Sequence, residues 1–280
     1  MKNSSIRLSL AIILLLLFGI ACQAPDVLEE SQPTQPETAP QTCSSGNVLK
    51  IGAAVSASGT FSREGEEVRR GYSSWADFVN NTHGGIKIEG TCYTVEMIYY
   101  DDESDPELVD DLIEKLITED EVKFLLGPFS SRLTAPASAV SERFGMIMVE
   151  GTGASETLFT RGFENLFAVV TPAGNFTQSS LEVLATEGAK TVVIAYEDTL
   201  FPTSVGVGAI KWAEEYGMEV LAVEAYPQDI DDVSEIMTKF RDLNPDVFVG
   251  GGHFNDALLF VATADALDFS PQGMVLTVGP

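Results

Sequence analysis

The sequence predicts an α/β protein made of two open, mostly parallel-sheet lobes with a ligand cleft between them, and three observations carry that expectation. Apolar strand-like runs alternate with amphipathic helical stretches from residue 49 onward. The runs are rich in Val, Ile, Leu and aromatics, as strands covered on both faces must be. The alternation breaks once, at Gly162 to Asn175, where Pro172 and Gly174 interrupt any helical period, and then resumes. That break reads as the crossover between a first lobe at 47–170 and a second at 171–280.

In the first lobe the expected strands are Leu49 to Val55, Tyr93 to Tyr99, Val122 to Leu126 and Met146 to Val149. A helix from Glu64 to Asn80 follows the first strand, with Val68, Tyr72, Trp75 and Val79 along one stripe and a stop at Asn81-Thr82-His83-Gly84-Gly85. Asp105 and Pro106 open the next helix as N-cap and first helical residue. Its apolar face repeats Leu108, Val109, Leu112, Ile113, Leu116 and Ile117. A third helix runs from Ser131 to Phe144. The second lobe is expected to hold strands at Thr191 to Tyr196, Glu219 to Ala225, Val247 to Gly250 and Met274 to Val278. Helices at 177–187, 203–216, 233–243 and 255–267 separate them. Only Gly279 and Pro280 follow the last strand, so the second lobe is expected to be incomplete at its C-terminal side.

Residues 1–46 read differently. Lys2 and Arg7, an apolar run from Leu8 to Ile20, and Ala21 before Cys22 form a secretion signal over 1–21. The run is short for a membrane span. Gly-Ile-Ala-Cys resembles the lipobox of bacterial lipoproteins, which implies lipidation of Cys22; plain secretion is the other reading. The stretch 22–46, dense in Pro, Gln, Ser, Thr and Glu, cannot bury enough apolar surface to offset its ordering entropy and reads as a tether.

The formal net charge of −26 excludes nucleic acid as a partner, since phosphate binding needs clustered Lys and Arg. Outside the cytoplasm Cys43 and Cys92 are expected to pair, as they stand at the beginnings of two strands. No CxxC and only His83 and His253 leave no metal-ligand cluster, and no cofactor is expected. No Gly-x-Ser-x-Gly, His-Glu-x-x-His or P-loop is present, so no catalytic residues are assigned.

Four stretches together are similar to the type I periplasmic solute-binding proteins, the leucine/isoleucine/valine-binding family: IGAAVSASGTFSREGEEVRRGY (51–72), GGIKIEGTCYTVEMIYYDDESDPE (84–107), GPFSSRLTAPAS (127–138) and VFVGGGHFNDALLF (247–260). The resemblance covers about residues 49–278. It implies capture of a small ligand, an amino acid and foremost a branched-chain one, by lobe closure, for delivery to an ABC transporter permease. The protein would lie outside the cytoplasm, held to the membrane through a lipid anchor only.

The resemblance also assigns residues. Ser131 would bind the ligand carboxylate at a helix N-terminus, where free N–H groups favour an anion; the other reading makes Ser130 or Ser131 the N-cap. The loop with Thr152, Ala154 and Ser155 would supply backbone and hydroxyl contacts, with Ala154 where the family has threonine. Asp256 would pair with the α-ammonium, or else serve as an acidic residue at a helix start. Phe201 would lie over the ligand, or else pack locally. Glu64 makes one side of the pocket more polar than in the family, and His253 is placed near the cleft without a catalytic role. A sensor reporting amides, urea or other small molecules to a partner shares the architecture and is the alternative.

Overall fold

The computed structural model describes Cys43 and residues 46–279. The signal at 1–21, Cys22 and nearly all of the tether lie outside the described residues.

The first sheet contains β1 (Val48–Val55), β2 (Ile86–Ile88), β3 (Thr91–Asp101), β4 (Phe124–Leu126), β5 (Met148–Glu150) and β6 (Leu166–Ala168), in the order β2-β3-β1-β4-β5-β6. All its neighbours are parallel except the β2–β3 hairpin, which turns at Glu89 and Gly90, both with positive φ. Helices α1 (Ser62–His83), α2 (Pro106–Thr118) and α3 (Ser131–Arg143) cover its two faces. Ala76 and Val79 of α1 pack on Leu49, Ile51 and Val95. On the other face Val109, Ile113 and Leu116 of α2 meet Leu125, Leu133, Val140 and Met148. The Asp105 carboxylate accepts from the Glu107 N–H at 2.9 Å, as an N-cap should.

The segment Gly162 to Asn175 corrects the sequence expectation. Part of it, Leu166–Ala168, pairs with Met148–Glu150 as β6 and completes the first sheet before the chain crosses over. Three residues are too few to show a period. A short α4 (Glu156–Phe159) and a 3₁₀ turn at Ala173–Asn175 flank it.

The second sheet, β10-β9-β7-β8, is wholly parallel: β7 (Thr191–Glu197), β8 (Glu219–Tyr226), β9 (Val247–Gly251) and β10 (Gly273–Leu276). Helices α5 (Gln178–Thr186) and α6 (Leu200–Glu215) bury Leu181, Ala209 and Ala213 on one face. Helices α7 (Ser234–Leu243) and α8 (Phe254–Ala266) bury Met237, Phe240 and Phe260 on the other. Rings of Tyr226, Phe240, Phe248, Phe260 and Phe269 form a chain of edge-on and tilted contacts there. The start of α6 is earlier than the expected Thr203, so Phe201 stands on a helix and not in a loop.

Each sheet has its first strand in the middle, with crossovers to either side. This arrangement opens a crevice at the carboxyl ends of the strands. Cys43 and Cys92 form a disulfide with Cα atoms 5.3 Å apart. The Cys43 N–H donates to His83 O at 2.8 Å, fastening the entry of the chain to the end of α1. Among the described residues no helix is long and apolar enough to cross a membrane.

Candidate functional site

The strands β1, β4 and β5 of one sheet and β7 and β9 of the other end at a common interface. Rings meet across it: His253, just before α8, lies 5.0 Å from Phe61 and 5.8 Å from Phe129 of the first lobe, and 5.6 Å from Phe201 of its own. Arg63 stacks on the Phe254 ring at 3.5 Å. Ser155 and Ser204 join hydroxyls at 2.8 Å, and the Gly174 N–H donates to Glu156 at 2.8 Å. The lobes therefore touch on both sides of the crevice.

Two of the chambers within it have His253 in their walls. The first, about 200 Å³, is mainly apolar and is bounded by Phe129, Ser130, Thr152, Phe176, Phe201 and His253. The second, about 250 Å³, holds four carboxylates, from Glu64, Glu197, Asp229 and Asp256. A larger groove of 760 Å³ along the start of α6 opens to solvent past Asp198 and Lys211, both exposed, and gathers no comparable set of buried groups.

The polar end of the apolar chamber is built from strain and hydrogen bonds. Ser130 has φ 72° and ψ 149°, a conformation costly for a residue with a side chain. It is held there because its carbonyl accepts from the Thr134 N–H at 3.0 Å and lies 2.8 Å from the Thr134 hydroxyl, whose one proton it shares with Glu150, and its own hydroxyl caps the Leu133 N–H at 3.4 Å. Beneath the adjoining loop lies Glu150, fully buried at the end of β5. One of its oxygens accepts from the N–H groups of Thr152 and Gly153, both at 2.7 Å, and the other accepts from the Thr134 hydroxyl at 2.7 Å. Gly127 leaves the room this carboxylate needs, since a Cβ there would collide with it. Burial pushes the Glu150 carboxyl above its usual range, against the pull of these donors.

The assigned residues fall into two groups. Thr152 and Phe201 line the apolar chamber and Asp256 the acidic one. Ser131, Ala154 and Ser155 stand behind the wall. The Ser131 hydroxyl is fully buried and accepts from the Ser155 N–H at 3.0 Å, so it ties two loops together and leaves its neighbour Ser130 to face the cavity. Ala154 packs among Ala173, Phe201 and Val205. Asp256 serves as the acidic residue at the helix start, its carboxylate accepting from the His253 N–H at 2.6 Å and capping α8, and it also lines the chamber.

Sequence reasoning passed over Glu150, Glu197 and the ring set around His253. The two glutamates carried a signal: each is the charged last residue of an otherwise apolar strand, MVE and TVVIAYE. Burial pushes Glu197 up to about 7, while the Thr199 hydroxyl, donating at 2.5 Å, pulls it down and Asp256 and Asp229 push it further up. Burial also raises Asp256. His253 is depressed to about 4 by burial and is neutral at ordinary pH.

These shifts have opposite signs in stability. Glu197, raised above its unfolded value, contributes stability that is fully present below about 4.5 and is lost as pH rises through about 7. His253, depressed, contributes stability present above about 6.5 and lost as pH falls through about 4. Comparison with Glu197→Gln cancels the histidine. The melting temperature of the native chain is expected to fall relative to the variant between pH 4.5 and pH 8; parallel curves would rule out a buried, proton-binding Glu197.

The family model described as "Periplasmic binding protein" matches residues 48–280. Leu/Ile/Val-binding protein homolog 8 of Brucella abortus (strain 2308) is 28% identical over 236 residues, which cover 81% of this chain and 57% of the relative. Homolog 7 of Brucella melitensis is 24% identical, with coverages of 81% and 58%. The chain thus spans a little over half the length of these curated relatives. Two solved structures share the fold. The branched-chain amino acid transporter substrate-binding protein of Streptococcus pneumoniae, in complex with isoleucine, has TM-score 0.68 and 24% identity, over 82% of this chain and 64% of its own. A solute-binding protein of an ABC transporter from R. palustris, in complex with 4-hydroxybenzoate, has TM-score 0.72 and 22% identity, over 82% and 61%. Two parallel sheets meeting at a crevice, a family match from the first strand to the end of the chain, and relatives of the same kind place this chain in the periplasmic binding protein family, with the type I fold.

Proposed function

We propose that the protein captures a small amino acid in the crevice, outside the cytoplasm, and presents the closed form to the permease of an ABC importer. Its curated relatives carry Leu/Ile/Val-binding names, which favours a branched-chain ligand as the starting case. In this reading the lipid on Cys22 and the tether keep the domain near its permease and so raise effective concentration.

A single arrangement supports this most. The crevice offers hydroxyls and a helix start on one lobe, at Ser130 and Thr152, and carboxylates on the other, at Asp256 and Glu197. That polarity suits a zwitterion lying across the lobes. A ligand shifts the lobes toward closure only by binding the closed form better, and contacts from both lobes supply the difference. The ring wall of Phe129, Phe176 and Phe201 favours a second reading, an aromatic carboxylate, which would use the Ser130 end and leave the carboxylates idle.

Thermal shift with the amino acids and benzoate separates the two. A ligand at about 100 times its Kd should add about 2.7 kcal/mol of stability. If an amino acid is the solute, Thr152→Val and Asp256→Asn should both abolish that rise. If benzoate alone stabilises the protein, and Asp256→Asn leaves its effect intact, the amino-acid reading is wrong.

A further inference from the structure

We propose that the buried Glu150 is a neutral acid with its proton on Oε2, and that through the Thr134 hydroxyl it holds Ser130 facing the apolar chamber. Under the capture reading of the crevice, on which this role rests, Glu150 and Thr134 position the hydroxyl that meets the solute's carboxylate. The donors divide unevenly between the two glutamate oxygens. Oε1 accepts from the Thr152 and Gly153 N–H groups, both at 2.7 Å, and lies 3.1 Å from the Thr152 hydroxyl. Among the described residues Oε2 hydrogen-bonds one group, the Thr134 hydroxyl at 2.7 Å. A carboxylic acid has this asymmetry, since its carbonyl oxygen only accepts and its hydroxyl oxygen donates. A buried anionic oxygen with a single neutral partner is costly.

The proton count at Thr134 leads the same way. Thr134 is fully buried and its hydroxyl has one proton, yet two acceptors stand close: Glu150 Oε2 at 2.7 Å and the Ser130 carbonyl at 2.8 Å. The Pro128 carbonyl, at 3.5 Å, is at the limit of reach. With Glu150 ionised, one of the two short contacts has no hydrogen of its own. With Oε2 protonated the chain is complete: Oε2–H donates to Thr134 Oγ1, and the Thr134 O–H donates to the Ser130 carbonyl. That second bond falls on the residue of the chamber wall with positive φ, Ser130 at 72°.

The charge environment agrees. Tyr72 of α1 is the titratable side chain facing Glu150; burial raises it, so it is neutral, and its hydroxyl donates to the Gly127 carbonyl at 2.9 Å. The end of β4, α3 and the loop at 151–153 bring Pro128, Thr134 and Thr152, and β6 is followed by the Val169 N–H, which donates to the Glu150 carbonyl. Among the described residues no lysine or arginine pairs with Glu150, and the influences on it are burial, which raises it, and these hydrogen bonds. As pH rises through its folded value the proton leaves to solvent. Oε2 then accepts the Thr134 hydrogen, and the Ser130 carbonyl keeps only the Thr134 N–H.

Infrared difference spectra of the native chain against Glu150→Gln, at about pH 6 where an ordinary glutamate is ionised, test the proton. The native chain should show a protonated-carboxyl stretch that the variant lacks and that fades as pH is raised. Absence of that band overturns the proposal. Backbone ¹³C shifts of Ser130, which report its φ and ψ, test the link. They should move with the midpoint of the band in the native chain and stay fixed in Glu150→Gln, whose amide oxygen accepts and whose NH₂ donates at any pH. Ser130 signals indifferent to loss of the band also overturn the proposal. Calorimetric titration with L-leucine and benzoate, both carboxylates, reads the consequence. Thr134→Val should weaken binding about fivefold, the equivalent of one neutral hydrogen bond, and Thr134→Ser should restore it. Native affinity should fall by a similar factor above the midpoint relative to Glu150→Gln, a comparison that stands even if Thr134→Val does not fold. Binding that ignores both comparisons overturns the positioning role. If neither ligand binds, the capture reading falls and the positioning role with it, while the infrared and Ser130 signals still decide the proton and its link.

Discussion

Replacing Cys43 and Cys92 together with serine is expected to destabilise the protein by about 4 kcal/mol. The bond closes a loop with a sequence separation of 49 that holds β1, α1 and β2 and ends at the start of β3, and loop-closure entropy for that length gives about 4 kcal/mol in the unfolded chain. The loss should be localised in its cause. Without the bond, the backbone hydrogen bond from Cys43 to His83 still ties this point to the end of α1. Denaturant unfolding with and without reductant reads it: the reduced native protein and the double variant should share a midpoint well below that of the oxidised protein. A midpoint indifferent to reductant would mean that the pair contributes nothing. Because α1 carries Glu64 into the acidic chamber, ligand affinity should fall along with stability.

The second large effect is expected at Glu150. Truncation to alanine removes the acceptor for the N–H groups of Thr152 and Gly153 at once, while the Thr134 hydroxyl keeps the Ser130 carbonyl at 2.8 Å. Each donor left unsatisfied costs about 1–3 kcal/mol, so the variant should lose at least about 2 kcal/mol. Glu150→Gln keeps the acceptor oxygen and the volume and should lose much less. The raised Glu150 carboxyl fixes the direction of the pH effect. Its contribution is fully present below the unfolded value near 4.5 and is lost as pH rises through the folded value, so the penalty of alanine relative to native should be largest in acid. Binding provides the functional readout: Thr152, released from its loop, should give weaker ligand capture in the alanine variant even at temperatures where the fold persists. Equal affinity in a folded Glu150→Ala protein would mean that the loop is positioned by something else.

Most of the fold was legible because it rests on short-range chemistry. The period of α2, its Asp105–Pro106 start and the doubly buried strands β1, β7 and β9 are written in consecutive residues, and their observed limits differ from expectation by a residue or two. β6 escaped notice, as did the β2–β3 hairpin. Each has a strand of only three residues whose pairing is decided by a neighbour elsewhere in the chain.

The site divides in the same way. Thr152, Phe201 and Asp256 were reached through family motifs and do line the crevice. Which of two adjacent serines faces the cavity could not be read, because it depends on the positive φ of Ser130 and on the Thr134 contacts that hold it. Glu150 and Glu197 look like ordinary strand-end acids until burial is known.

By itself the sequence determined the two-lobed α/β architecture and the family resemblance, since periodicity and motif order are properties of neighbours along the chain. Only the tertiary structure decided that four carboxylates line one chamber with His253 in its wall. Those residues come from both lobes, from α1, β7, the segment before α7 and the start of α8, and their proton affinities depend on a burial that exists only once the two sheets have met.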